Sequence, residues 1–172
     1  MEPRAPKLFV GVGNVLCGDD GVGVRAAEIM MSLPLTSDLE VFEAGTALLE
    51  LAAVLELRER VVVVDAIDAG AEPGQVFRLR PEQIRPRAST PLSLHQLGLL
   101  HALDEAHLRG RPPGEVVILA VQVGDLSGGM ELSPAVKASL AELLEVAVDE
   151  LDLSLDIRDC LPVVRQPSES RH

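Results

Sequence analysis

Five polar side chains interrupt largely aliphatic stretches at places where chemistry could start. In "FVGVGNVLCGDDGVG", residues 9–23, an apolar run breaks into glycines and then sets down Asp19 and Asp20. In "RVVVVDAIDAG", Asp65 follows four valines, with Asp68 just beyond. In "LSLHQLGLLHALDEAHL", His95 stands near the start of a helical pattern. Two carboxylates and one imidazole make a hard-to-borderline donor set suited to Zn²⁺, Ni²⁺ or a similar ion. Three protein donors leave coordination positions open for water or a substrate group, as catalytic sites do.

Each residue also has a plainer use. An Asp ahead of a helix is favoured as a cap and by the helix dipole, and "GVGVRAAEIMMS" reads as such a helix. One cap needs one carboxylate, so the second of the pair calls for another reason. A lone histidine at a helix start is commonly satisfied locally. His101 and His107 follow at spacings of six, which do not keep to one helical face, and read as surface residues; His172 lies in the tail. The stretch "GVGNVLCG" also opens like G-x-G-x-x-G, with Leu16 in place of the third glycine. With Gly11, Gly13 and Glu43 it supports a dinucleotide-binding oxidoreductase only weakly, because the acidic pair would repel a pyrophosphate.

The elements that must carry these residues alternate. Lys7 to Val12 reads as a buried strand. "LEVFEAG" gives a second strand and "TALLELAAVLEL" a helix with Thr46 as its cap. Val61 to Val64 is the clearest buried strand, and "GQVFRLR" alternates like an edge strand. "PEQIRPRASTP" is a polar connection. The helix holding His95 would bury Leu94, Leu97, Leu100 and Leu103. "EVVILAVQVG" is another strand, followed by the glycine-rich "GDLSGGMEL" and a long helix with Ser133 as N-cap and Pro134 in its first turn. The order β α β α β β α β α predicts a three-layer α/β/α fold, a mainly parallel twisted sheet of about five strands with helices on both faces. In such sheets ligands gather beyond the carboxyl ends of the strands, which is where the Asp19–Asp20 pair, Asp65 and His95 would meet. Residues 1–154 form one domain in this reading, and 155–172 a partly ordered tail.

Composition narrows the partners. The 172 residues are 47% hydrophobic with no Trp or Tyr and three Phe, so the core must be aliphatic. A net charge of −12 argues against nucleic acid and against an anionic membrane surface. Small molecules, metal ions and proteins remain. Cys17 and Cys160 are far apart and form no metal or disulfide pattern; Cys17 reads as a small core residue. "MEPRAPKLFV" lacks a secretory apolar region and no run reaches membrane-spanning length, so a soluble, cytoplasmic chain, large enough to stand as a monomer, is expected.

Taken together, "GVGNVLCGDDGVGVRAAE", "VVVVDAIDAG" and "PLSLHQLGL" resemble the three signature segments of the hydrogenase maturation endopeptidases. The resemblance runs through nearly the whole chain in register. It implies an α/β endopeptidase that trims the C-terminal extension from the large-subunit precursor of a [NiFe]-hydrogenase after nickel insertion, classed as aspartic-type or metal-dependent. It places the metal ligands and catalytic residues at Asp20, Asp65 and His95, with Asp19 as a helix cap or a support beside the ligand. The metal implied is the precursor's nickel, and Zn²⁺ or Cd²⁺ could occupy the same site. Two departures are visible: "EAGT" has Ala44 where the family often has glycine, and "VQVGDLSGG" lacks a proline often found there. A non-catalytic nickel-binding chaperone on the same fold is the alternative, separated from a protease by whether the precursor loses mass.

Overall fold

The computed structural model describes residues 4–84, 93–155 and 157. The aliphatic runs form one sheet of Lys7–Val12 (β1), Leu39–Gly45 (β2), Arg60–Ile67 (β3), Val76–Leu79 (β4) and Glu115–Gln122 (β5), in the order β2-β1-β3-β5-β4. The first four in that order are parallel, and β4 lies antiparallel on β5 as an edge. β3 is the central strand, buried from Val61 through Ala66, as its valine run predicts. The short β4 is mostly half-buried, in keeping with its alternating sequence.

Successive residues of a strand face opposite layers, and the core divides accordingly. Phe9, Val62, Val64 and Leu119 pack with helix α1 (Val22–Met31) and helix α5 (Pro134–Glu150). Leu8, Val10, Val61, Val63 and Ile118 pack with the short helix α2 (Leu51–Leu55) and with α4 (Leu94–Leu108). A further helical turn, α3 (Pro81–Ile84), adds Ile84 to that second layer. Each buried aliphatic side chain contributes roughly 1.5–3 kcal/mol relative to exposure, and both layers are needed because a sheet buried on one face leaves the other wet. Parity puts Asp65 on the same side as Val61 and Val63, the side that α4 covers.

Glycine sets the distance between α1 and the sheet. A Cβ on Gly23 would stand 2.2 Å from the Val12 carbonyl oxygen and 2.3 Å from that of Val64. The helix therefore rests directly on the backbone of β1 and β3.

Several expectations need correction. In α4 the buried residues include Leu99, Leu100, Leu103 and Ala106, while Leu94 is 83% and Leu97 45% exposed. Only Leu100 and Leu103 of the expected stripe are buried, because the helix is rotated so that 96, 99, 100 and 103 face the sheet. Thr46 caps nothing: a turn at Leu48–Glu50 precedes α2 and has no side-chain cap. Cys17 is half-buried rather than core and pairs through its backbone with Gly129. Pro81–Ile84 of the polar connection is helical, and the rest of it, through Pro91, lies outside the described residues. So do Cys160, His172 and most of the tail, although Ile157 is buried in the α1–α5 layer. Among the described residues no helix is long and apolar enough to cross a membrane.

Candidate functional site

Three separate segments bring their polar side chains to the carboxyl end of the sheet. Asp20 lies in a 3₁₀ turn, Gly18–Gly21, that leads from β1 into α1. Asp65 is near the end of β3, and His95 is the second residue of α4. The imidazole Nδ1 stands 3.5 Å from Asp65 Oδ1 and 3.8 Å from Asp20 Oδ1. The sequence thus anticipated the meeting of these three residues, which are 75 positions apart at the extremes (95 − 20).

Local structure fixes each one. Asp65 Oδ1 accepts from the N–H of Ala66 at 2.9 Å. Asp20 Oδ2 accepts from the N–H of Asn14 at 3.1 Å, and the Asp20 carbonyl accepts from the same N–H. His95 is held by a capping box. Ser93 Oγ accepts from the N–H of Gln96, and Gln96 Oε1 accepts from the N–H of Ser93, each at 3.1 Å. The S-x-x-Q spacing signals this box in the sequence, but it escapes a reading concentrated on the histidine.

Electrostatics follow from burial. The Asp65 side chain is only 6% exposed, against 25% for Asp20 and 15% for His95. Burial pushes the Asp65 carboxyl above its ordinary range, and the contact with His95 pulls part of the way back. His95 is raised, first by its contact with Asp65, against burial, and then by the charges of Asp65 and Asp20. Its position at a helix N-terminus works against a positive charge, so the two carboxylates outweigh the dipole. Both members of the Asp65–His95 contact are thus shifted toward their protonated forms, the kind of coupled pair that acid–base sites use.

The donor types fit a borderline divalent ion. Among the described residues, however, no three His, Cys, Asp or Glu side chains already form a metal-binding cluster. The imidazole Nδ1 faces both carboxylates, and an imidazole that ligates a metal there must give up any proton it holds on the ligating nitrogen.

Neighbouring polar residues take other parts. Asp19 is fully buried and caps neither its own turn nor α1. Its carboxylate accepts from the N–H groups of Gly124, Asp125 and Ser133 and from the Ser133 hydroxyl, all in the connection between β5 and α5. Burial opposes its ionisation, and these hydrogen bonds more than offset it, leaving the carboxyl below its usual range. Ser133 is the N-cap of α5 as expected, but its hydroxyl serves Asp19. Asp68 is apart from the cluster and accepts from buried Gln122 Nε2 at 3.2 Å. Gln122 Oε1 in turn accepts from the N–H groups of Ala69 and Ala71. His101 and His107 are exposed, as anticipated.

The glycines that imitate a phosphate loop are spent on folding. A Cβ on Gly13 would stand 1.9 Å from the Asp20 carbonyl oxygen, and one on Gly11 2.2 Å from that of Gly23. Chain already occupies the ground where a pyrophosphate would approach. A cavity of about 300 Å³ between α1 and α5, lined in part by Arg25, Ile29, Met130 and Leu140, includes none of the three cluster residues.

A mainly parallel sheet with an acid–imidazole cluster beyond its strand ends places the chain among three-layer α/β proteins whose site lies at the carboxyl ends of the strands. Comparison with known proteins specifies the family. The profile of the hydrogenase maturation proteases matches residues 24–150. The chain is 35% identical over 147 residues to the hydrogenase expression/formation protein HupD of Bradyrhizobium diazoefficiens, covering 84% of this chain and 77% of that protein. It is 31% identical over 140 residues to the hydrogenase 2 maturation protease of Escherichia coli, covering 80% and 85%. Its fold is similar to that of the hydrogenase maturating endopeptidase HybD from E. coli, with a TM-score of 0.77 and 30% identity over 85% of this chain and 91% of that one. The HybD maturation protease from Thermococcus kodakarensis is similar at a TM-score of 0.66, also with 30% identity. The chain belongs to the hydrogenase maturation protease family, whose members are peptide hydrolases.

Proposed function

We propose that this protein removes a C-terminal extension from the large-subunit precursor of a [NiFe]-hydrogenase, and that Asp20, Asp65 and His95 read the nickel already held in that substrate. The observation that carries this reading is the convergence of two carboxylates on one imidazole, 3.5 and 3.8 Å away, from three distant segments at the strand ends. A purely structural cluster would have little reason to gather two carboxylates around one imidazole with so little exposure.

The roles differ by burial. Asp65 orients the imidazole from below. Asp20 is the more open carboxylate and can take a proton from an attacking water. Water adds to the scissile carbonyl carbon, the carbon–nitrogen bond breaks, and the leaving amine takes up a proton. A ligating imidazole must be neutral. With His95 raised by its acidic neighbours, engagement of the nickel strengthens as pH rises through the imidazole's titration. The substrate is a folded protein, and the exposed Leu16, Leu49, Leu94, Leu126 and Met130 near these connections suit a protein partner.

The test is incubation with nickel-loaded and nickel-free precursor, read by mass. Only the loaded form should lose its C-terminal peptide. His95→Ala and Asp20→Ala should lower turnover by about 10²–10⁴-fold, the range for loss of an acid–base group. Cleavage of the loaded precursor at the normal rate by either variant would remove the site from the mechanism.

A further inference from the structure

We propose that Asp19 is a positioning residue that fastens the connection between β5 and α5 to the turn carrying Asp20, so that both sides of the catalytic rim move as one piece. This deepens the endopeptidase reading and rests on it for the catalytic consequence. The turn at Gly18–Gly21 has no side-chain cap, and neither does α1 behind it. Besides the Asn14 N–H that Asp20 accepts, its placement rests on a seam with residues 124–133.

Asp19 is the centre of that seam. Its Oδ2 accepts from Gly124 N–H, Asp125 N–H and the Ser133 hydroxyl, each at 2.8 Å, and its Oδ1 accepts from Ser133 N–H at 2.7 Å. The backbone adds to it: Asp19 N–H donates to the Asp125 carbonyl, Gly18 N–H to that of Gly129, and Gly129 N–H to that of Leu16. Gly18 has φ +57°, and a Cβ there would stand 2.7 Å from the Asp125 carbonyl oxygen. The two segments therefore touch backbone to backbone. Residues 124–131 of this connection are all exposed. A carboxylate at zero exposure with every oxygen engaged is a costly way to hold a surface connection unless its position matters. Catalytic groups must be held to within about 0.5 Å by their supports, and Asp20 is the next residue along the chain.

The experiment compares the wild-type chain with Asp19→Asn and Ser133→Ala. It reads amide hydrogen exchange residue by residue, and kcat and KM on nickel-loaded precursor. For Asp19→Asn, exchange should quicken at least tenfold both in residues 14–20 and in 124–133, with β3 and β5 amides as slow as in the wild type. Its kcat should fall at least tenfold, with KM within about threefold. Ser133→Ala, which keeps the backbone donor, should show the same pattern more weakly. Faster exchange confined to 124–133, a uniform loss of protection across the sheet, or an unchanged kcat in the folded variant would each overturn the proposal. If wild-type protein fails to cleave the precursor, the endopeptidase reading falls instead, and the exchange pattern alone decides whether Asp19 joins the two segments.

Discussion

Asp65 carries the sharpest physical conflict in the molecule: a carboxyl group at the end of a valine strand, 6% exposed, kept company by one imidazole. Its raised affinity for protons and that of His95 have the same sign, so this pair holds more protons in the folded chain than in the unfolded one, and its own contribution to stability declines as pH rises. The part due to His95 is complete below its ordinary value of 6.5 and is lost as pH climbs through its raised folded value. The part due to Asp65 is complete below 3.8 and is lost as the buried carboxyl ionises. Asp65→Asn removes the second step and most of the support for the first. Between pH 4 and pH 9, the variant's stability relative to the wild type should therefore improve steadily, measured by urea denaturation of metal-free protein, while its turnover collapses. A relative stability that worsens with pH would mean that Asp65 is not held as a buried acid. The identity of this residue was legible because four valines demand an explanation for the aspartate after them. Asp19 was not legible in the same way. Its partners lie more than a hundred positions away in a glycine-rich connection, and nothing in "CGDDG" says which of two adjacent acids faces inward.

At the scale of elements, the strands were readable because period-two burial on both faces forces uninterrupted aliphatic runs, and β1, β3 and β5 contain little else. Helix α4 was readable as a helix but not in its rotation. It has leucine on more than one side, so sequence spacing alone offers two stripes, and packing against Val61, Val63 and Ile118 selects one. The distinction is measurable. Leu99→Ala should cost about 2–5 kcal/mol as a core truncation, whereas Leu94→Ala, at an exposed position, should stay within about 0.5 kcal/mol. Equal effects would place the wrong face inward. The glycine contact under α1 gives a second check. Gly23→Ala drives a methyl into two strand carbonyls and should destabilise by about 1–3 kcal/mol or more, the overpacking range, despite alanine's better helix propensity. A neutral or stabilising result in equilibrium unfolding would show that α1 can lift away from β1 and β3 freely.

Across the whole molecule the two ends of the sheet have different duties. The acid–imidazole cluster and its loops occupy the carboxyl end. At the other end Lys7, Arg58, Arg60, Arg109 and Arg111 meet carboxylates and free carbonyls. Arg58 is 2% exposed and spans three parts of the chain, donating to the Ala5 and Val54 carbonyls and, at 2.6 Å, to Glu40 of β2. Buried Glu56 accepts from Arg109 and Arg111, each at 3.2 Å, tying the end of α2 to the approach to β5. With a net charge of −12, a buried cation that also satisfies backbone carbonyls cannot be exchanged for solvent without orphaning those oxygens. Glu40 is 43% exposed and regains water, so Arg58→Ala should cost about 1–3 kcal/mol, as leaving buried carbonyls unpaired does. Because the network is at the opposite end of β3 from Asp65, the loss should leave kcat and KM unchanged in protein that remains folded. Urea unfolding and precursor cleavage on the same sample separate the two quantities. A fall in kcat without a fall in stability would mean that the ends of the sheet are coupled, and that the rim at the carboxyl end is shaped by packing at the amino end.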